Sequence, residues 1–130
     1  MSNPLSRYSG HLFALLRIVA GILFACHGAQ KLFGALGGHR ATEPLLVAAA
    51  IIEFFGGLLI ALGLFASWAS FIASGEMAYA YFHSHAPHGF WPIVNKGELA
   101  VVYCFLFLFI AAHGAGSYSL GRLLGRGRST

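Results

Sequence analysis

Residues 45–65 read LLVAAAIIEFFGGLLIALGLF (Leu45–Phe65), an apolar run broken by a single charge, Glu53. As a helix rising about 1.5 Å per residue it covers about 30 Å, the thickness of a bilayer's hydrocarbon core. The run is too long and too apolar for an ordinary surface helix, and the chain around it fits: 58% of all residues are hydrophobic and only 9% are charged, against about a quarter charged in soluble domains. The fold expected is therefore all-α, a transmembrane four-helix bundle forming one domain over residues 1–130, because four such spans with short loops use up the chain.

Upstream, Gly34, Gly37, Gly38, His39, Arg40, Thr42 and Pro44 supply loop and helix-stop chemistry. They separate the run from a first span at about residues 12–33, which carries Arg17 near one end and His27, Gln30 and Lys31 near the other. Arg17 splits the apolar core that a cleaved signal peptide would need. Downstream, a third span at about 67–83 follows almost at once, so Gly63 and the Ser67-Trp68 pair serve a tight hairpin with Trp68 near the headgroups. The stretch from His83 to Pro92 is expected to be a loop, since two prolines and a glycine oppose helix. The fourth span runs over about 96–113, with Asn95 as N-cap and Glu98 three residues on, the spacing of a capping box.

Basic residues orient the spans. Arg7, Arg17, Arg122, Arg126 and Arg128 flank one side, and Lys31, Arg40 and Lys96 the other. Five against three places both termini in the cytoplasm of a multi-pass protein of the bacterial cytoplasmic membrane. The same distribution, at helix ends and in the tail, suits anionic lipid and excludes a nucleic-acid face. Cys26 and Cys104 lie inside apolar stretches and form no C-x-x-C pair, which reads as buried small hydrophobes.

Glu53, Glu76 and Glu98 lie within or at the edge of spans, where an ionised side chain facing lipid costs several kcal/mol. Counting along each helix puts His27, Glu53 and Glu76 about 9–12 Å below its outer end. Each helix thus sends a polar group to the outer half. His27, Gln30 and Lys31 share one face, as do Glu76, Tyr79 and His83. Gly56 and Gly57 would let a neighbouring helix approach closely. These residues predict a polar cavity opening outward, in which His27, Glu53 and Glu76 handle protons, while Gln30, Lys31, Tyr79, His85, His88, Trp91 and Glu98 contact a substrate. Three glutamates against Lys31 leave two excess negative charges if all ionise. A low dielectric forbids that unpaired, so protons on the carboxyls, a cationic His27 or an entering cation must restore balance.

Packing alone offers a second account of the same residues. Glu53 with Lys31 can serve as an interhelical ion pair, Glu98 as a cap, and His27 as a hydrogen-bonded core histidine. No metal site is assigned: His83, His85 and His88 sit on an irregular stretch and no Glu-x-x-His pair lies on the spans. No heme, flavin or nucleotide motif is present either.

The motifs His27-Gly-Ala-Gln-Lys-Leu-Phe-Gly34, Glu53-Phe-Phe-Gly-Gly57, Gly75-Glu76-Met77-Ala78, His85-Ala-Pro-His-Gly-Phe-Trp-Pro92, Asn95-Lys-Gly-Glu98 and His113-Gly-Ala-Gly116 occur in that order. In order and spacing they resemble the DoxX family of small bacterial membrane proteins over nearly the whole chain. Family members often continue the final Ser-Leu with an aspartate, where this chain has Gly121. The resemblance implies a four-helix membrane protein and an association with redox chemistry. A similar subunit belongs to a thiosulfate:quinone oxidoreductase, and other relatives are linked with quinone stress or with complexes handling thiols and superoxide.

Three functions follow as expectations. The first is a membrane subunit in quinone- or thiol-linked redox chemistry, with the lipid bilayer, a redox protein and a small lipophilic ligand such as a quinone as its partners. The second is a non-catalytic assembly or binding subunit. The third is transport of a small solute or proton by an oligomer.

Overall fold

The computed structural model describes residues 3–125, which are helical with no strand among them. A single 3-10 turn, Ser6–Tyr8, leads into α1 (Ser9–Phe33). It is followed by α2 (Pro44–Leu62), α3 (Ala66–Ala80), a π-helical turn at Tyr81–His85, a 3-10 turn at Ala86–His88, α4 (Pro92–Asn95), α5 (Glu98–His113) and α6 (Leu120–Leu123). Two of these helices, Ser6–Phe33 and Pro44–Leu62, are long and apolar enough to cross a membrane, and Glu98–His113 is apolar but shorter. Arg126 and Arg128, used above for orientation, lie outside the described residues.

Helix ends fall where the backbone chemistry puts them. Gly34 stops α1 in the left-handed region at φ 68°, and its N–H closes onto Gln30 O. Pro44 opens α2 at its first turn, where the missing N–H costs nothing. Gly63 (φ 71°) and Phe65 (φ 51°) then reverse the chain within three residues, so the hairpin lies at 63–65, just before Ser67-Trp68.

Two sequence expectations need correction. Residues 83–88 are not loop: α3 runs on through the π turn and the 3-10 turn, with Pro87 in the first turn, where proline is tolerated. The capping box at Asn95 does not form. Asn95 ends α4, Lys96 adopts φ 64°, and Gly97 takes the N-cap of α5 without a side-chain cap. Asn95 instead accepts from Gly97 N at 2.8 Å and donates to Gly89 O and the Tyr81 hydroxyl, both at 2.9 Å, locking the segment that caps the bundle.

The four longer helices pack around one core, α1 along α2 and α3 along α5, with α2 and α3 also in contact. A Cβ on Gly21 would fall 2.6 Å from Gly57 O, so the α1–α2 seam requires glycine there. Gly57 makes this approach, whereas its neighbour Gly56 faces open space. Phe24 of α1 stacks obliquely on Tyr103 and Phe107 of α5, bringing the first and last long helices together. Ser74 donates to Cys104 O at 2.7 Å across α3–α5.

Arg17 is buried at 1% exposure, and every hydrogen bond it makes goes to a backbone carbonyl. Nε donates to Ile60 O (2.9 Å), Nη1 to Ala115 O (2.6 Å), and Nη2 to Tyr118 O (3.0 Å) and Ala61 O (3.2 Å). The last turn of an α-helix has carbonyls without intrahelical partners and the negative end of the helix dipole. One guanidinium therefore caps the end of α2 and ties the chain after α5 to it.

Candidate functional site: a polar cleft between α2 and α3

A cavity of about 760 Å³ lies at the end of the molecule away from the Gly63 turn. Its walls are the first half of α2 (Leu45, Leu46, Ala48, Ala49, Ile52), α3 from its middle to its end (Ile72, Met77, Ala80) and the start of α5 (Leu99, Ala100), with Phe24 and His27 from α1. The two arms of the α2–α3 hairpin are joined by a three-residue turn, yet both line the space, so they diverge from that turn.

Glu53 is buried at 1% exposure, and Lys31 Nζ donates to both its oxygens at 2.9 Å. Lys31 and Glu53 offset each other's charge, which a low-dielectric site tolerates. Glu76, from α3, lines the same cavity as this pair. Glu76 Oε1 is buried and has no hydrogen-bond partner.

Tyr103 is 6% exposed and sits at the floor of the cavity, its ring stacked on Phe107 (5.2 Å, 4°) and edge-on to His27 (6.3 Å, 87°). At the rim, Tyr79 stacks on His83 (5.3 Å, 16°). His85 donates from Nδ1 to Asn95 O at 3.1 Å, and Glu43 and Lys96 complete the mouth.

Of the residues singled out in the sequence, His27, Lys31, Glu53, Glu76, Tyr79 and His85 meet at this cavity. Four do not line it. Gln30 turns to Leu36 O (3.0 Å), His88 to Ser84 O (3.2 Å), Trp91 is 65% exposed beside Phe90, and Glu98 is exposed at the start of α5. Depth along a helix set the expectation for Glu98, and helix rotation decides otherwise. Sequence reading missed Tyr103, though a hydroxyl in the apolar stretch Val-Val-Tyr103-Cys-Phe was a signal, because a buried tyrosine needs a polar neighbour. No group of three or more His, Cys, Asp or Glu side chains among the described residues is arranged to hold a metal ion.

The family model for DoxX matches residues 12–86, more than half the chain. The chain belongs to the DoxX family. DoxX proteins are small membrane proteins, and this member is an integral one. A protein of Haemophilus influenzae, described as uncharacterized, is 44% identical over 126 residues, covering 91% of this chain and 94% of its own length. No solved structure matches. The DoxX match takes in α1, α2, α3 and the π turn, hence His27, Lys31, Glu53, Glu76, Tyr79 and His85, while Tyr103 comes from the helix beyond it.

Proposed function

We propose that this DoxX protein crosses the bacterial cytoplasmic membrane as a four-helix bundle with both termini inside. We propose further that its cleft binds a small lipophilic molecule on which Glu53 and Glu76 handle protons in quinone- or thiol-linked redox chemistry. The inside-out distribution of side chains supports the first part. Large apolar residues are exposed on all four long helices, for example Leu15 and Ile22, Ile51 and Phe55, Trp68 and Phe71, Val102 and Phe105, whereas Arg17, Glu53, Ser70 and Ser74 are buried. Such a surface suits hydrocarbon rather than water. Helices of 15 and 16 residues cover about 23 Å, and the π turn extends α3 further.

The observation that carries the second part is the unpartnered Glu76 Oε1 beside the Lys31–Glu53 pair inside an apolar-walled cavity. A buried acceptor without a donor is costly unless a ligand supplies one. The residues fit a quinone–quinol couple: the quinol hydroxyl can donate to Glu76 Oε1, and the quinone oxygens can accept from the donors Lys31, His27 or Tyr103, which line the same cavity. When bound, a quinone would supply a carrier for two electrons and two protons. The chain's own part is to orient the head group and to lend or take up a proton at Glu53 or Glu76, while the electrons come from a redox partner. The test is thiol-dependent quinone reduction in membranes carrying wild type or Glu53→Gln. Lost turnover in a folded variant supports the reading, and unchanged turnover rejects it.

A packing role is the second reading, favoured by the bidentate Lys31–Glu53 bond between α1 and α2. On that reading Glu53→Gln changes the yield of the protein or its complex and leaves chemistry to a partner.

A further inference from the structure

We infer that the cleft is loaded sideways from the bilayer, between α2 and α3, by an uncharged single-tailed amphiphile whose head carries a hydrogen-bond donor and whose tail stays in the lipid. This rests on the reading of the cleft as a ligand site and adds the route and the head-group chemistry.

The route follows from exposure and depth. Ile72 lines the cavity yet is 52% exposed, and it lies six residues, about 9 Å, from the start of α3 at the turn end. A wall residue so exposed that far down its helix fits a cleft that is open along its side as well as at its mouth. The facing arm of the hairpin has the same character: Leu45 and Leu46 are each 46% exposed, and Ala48 is exposed. Alanine at 48 and 49 keeps this arm thin where the two arms part. A water-soluble ligand would have no use for such a slot, whereas an alkyl or isoprenoid chain can lie in it and continue among the lipid tails.

The head-group chemistry follows from the polar floor. Lys31 and Glu53 are already paired through both carboxylate oxygens, so neither charge is left to meet a charged head. What remains unmet is Glu76 Oε1, an acceptor, and an uncharged hydroxyl or N–H is the complement. Tyr103 and His27, edge-to-face with each other in the same cavity, are donors available to a head-group oxygen.

The test uses the full-length protein in phosphatidylcholine nanodiscs and three radiolabelled probes: 1-dodecanol, dodecyl methyl ether and 1-butanol. Retention on wild type is expected for dodecanol, about tenfold weaker for the ether, which lacks the donor, and negligible for butanol. Glu76→Met should erase the preference for dodecanol over its ether. Ala48→Trp should block the slot and abolish retention, while Ile51→Trp, exposed on the same helix but outside the cavity, should leave it intact. Equal retention of dodecanol and ether, or unimpaired retention by a folded Ala48→Trp, overturns the inference. Glu76-dependent binding of butanol would keep the ligand site and refute the lateral route. A dimer that is lost in Ala48→Trp, with no probe retained by wild type, would assign the slot to a second copy and also overturn it.

Discussion

Replacing Arg17 with methionine keeps the length of an apolar stem and removes a guanidinium that makes four hydrogen bonds to carbonyls of Ile60, Ala61, Ala115 and Tyr118. A hydrogen bond to a charged group contributes about 1.5–3 kcal/mol. The four do not add, because they share one side chain and water at the turn end can reach part of the exposed carbonyls. Leaving a buried carbonyl without a donor costs about 1–3 kcal/mol, and with part of the four reached by water a total loss of about 3–4 kcal/mol is expected. For a chain of this length that is a fall in Tm of about 10–15 °C, measured by thermal unfolding in mild detergent. Arg17→Lys keeps the charge but has a single nitrogen for four carbonyls, and should fall between wild type and methionine. A methionine variant melting within about 2 °C of wild type would refute the claim that this clamp holds the chain after α5 against the end of α2.

Further outcomes follow from the same geometry. Gly57→Leu should prevent stable folding, because a Cβ there already meets the α1 backbone at 2.5 Å, whereas Gly56→Ala, facing open space, should stabilise by about 0.5–1 kcal/mol; expression and melting of the two variants check this contrast. Lys31→Met strands a buried carboxylate and should cost about 2–3 kcal/mol, and Lys31→Met combined with Glu53→Gln should recover most of it in a double-mutant cycle. Ser74→Ala removes one hydrogen bond to Cys104 O and should cost about 1 kcal/mol in the same unfolding assay. Asn95→Ala releases its bonds to Tyr81, Gly89 and Gly97 and should loosen the cap, read as faster amide exchange over residues 89–97.

Much of the fold was legible because glycine and proline punctuate long apolar runs. Gly34, Pro44 and Gly63 mark helix ends within one or two residues of where the chain turns. The helical continuation from Ser84 to His88 was not legible, since Pro87 tolerates a helical first turn and the bonds of Tyr81 and His85 with Asn95 are tertiary. Membership of the DoxX family was visible in the ordered motifs, and the matched region confirms it. At the cleft, spacing along α1 placed His27 and Lys31 on one face, and spacing along α3 did the same for Glu76, Tyr79 and His83. Which side chains meet depends on how helices rotate about their axes, a tertiary quantity. So Tyr103 was missed despite its apolar surroundings, and Glu98 was counted in although it lies outside.

The central claim is that Glu53, Glu76 and Lys31 form the polar floor of a ligand site and are more than a packing device. Native mass spectrometry of the protein released from mild detergent, with extraction of lipophilic molecules and metal analysis, tests it most directly. A discrete small molecule should copurify with wild type and be lost from a folded Glu76→Met variant. Wild type that carries no ligand, with Glu76→Met differing only in stability, would contradict the account and leave the carboxyl pair as a structural feature of the bundle.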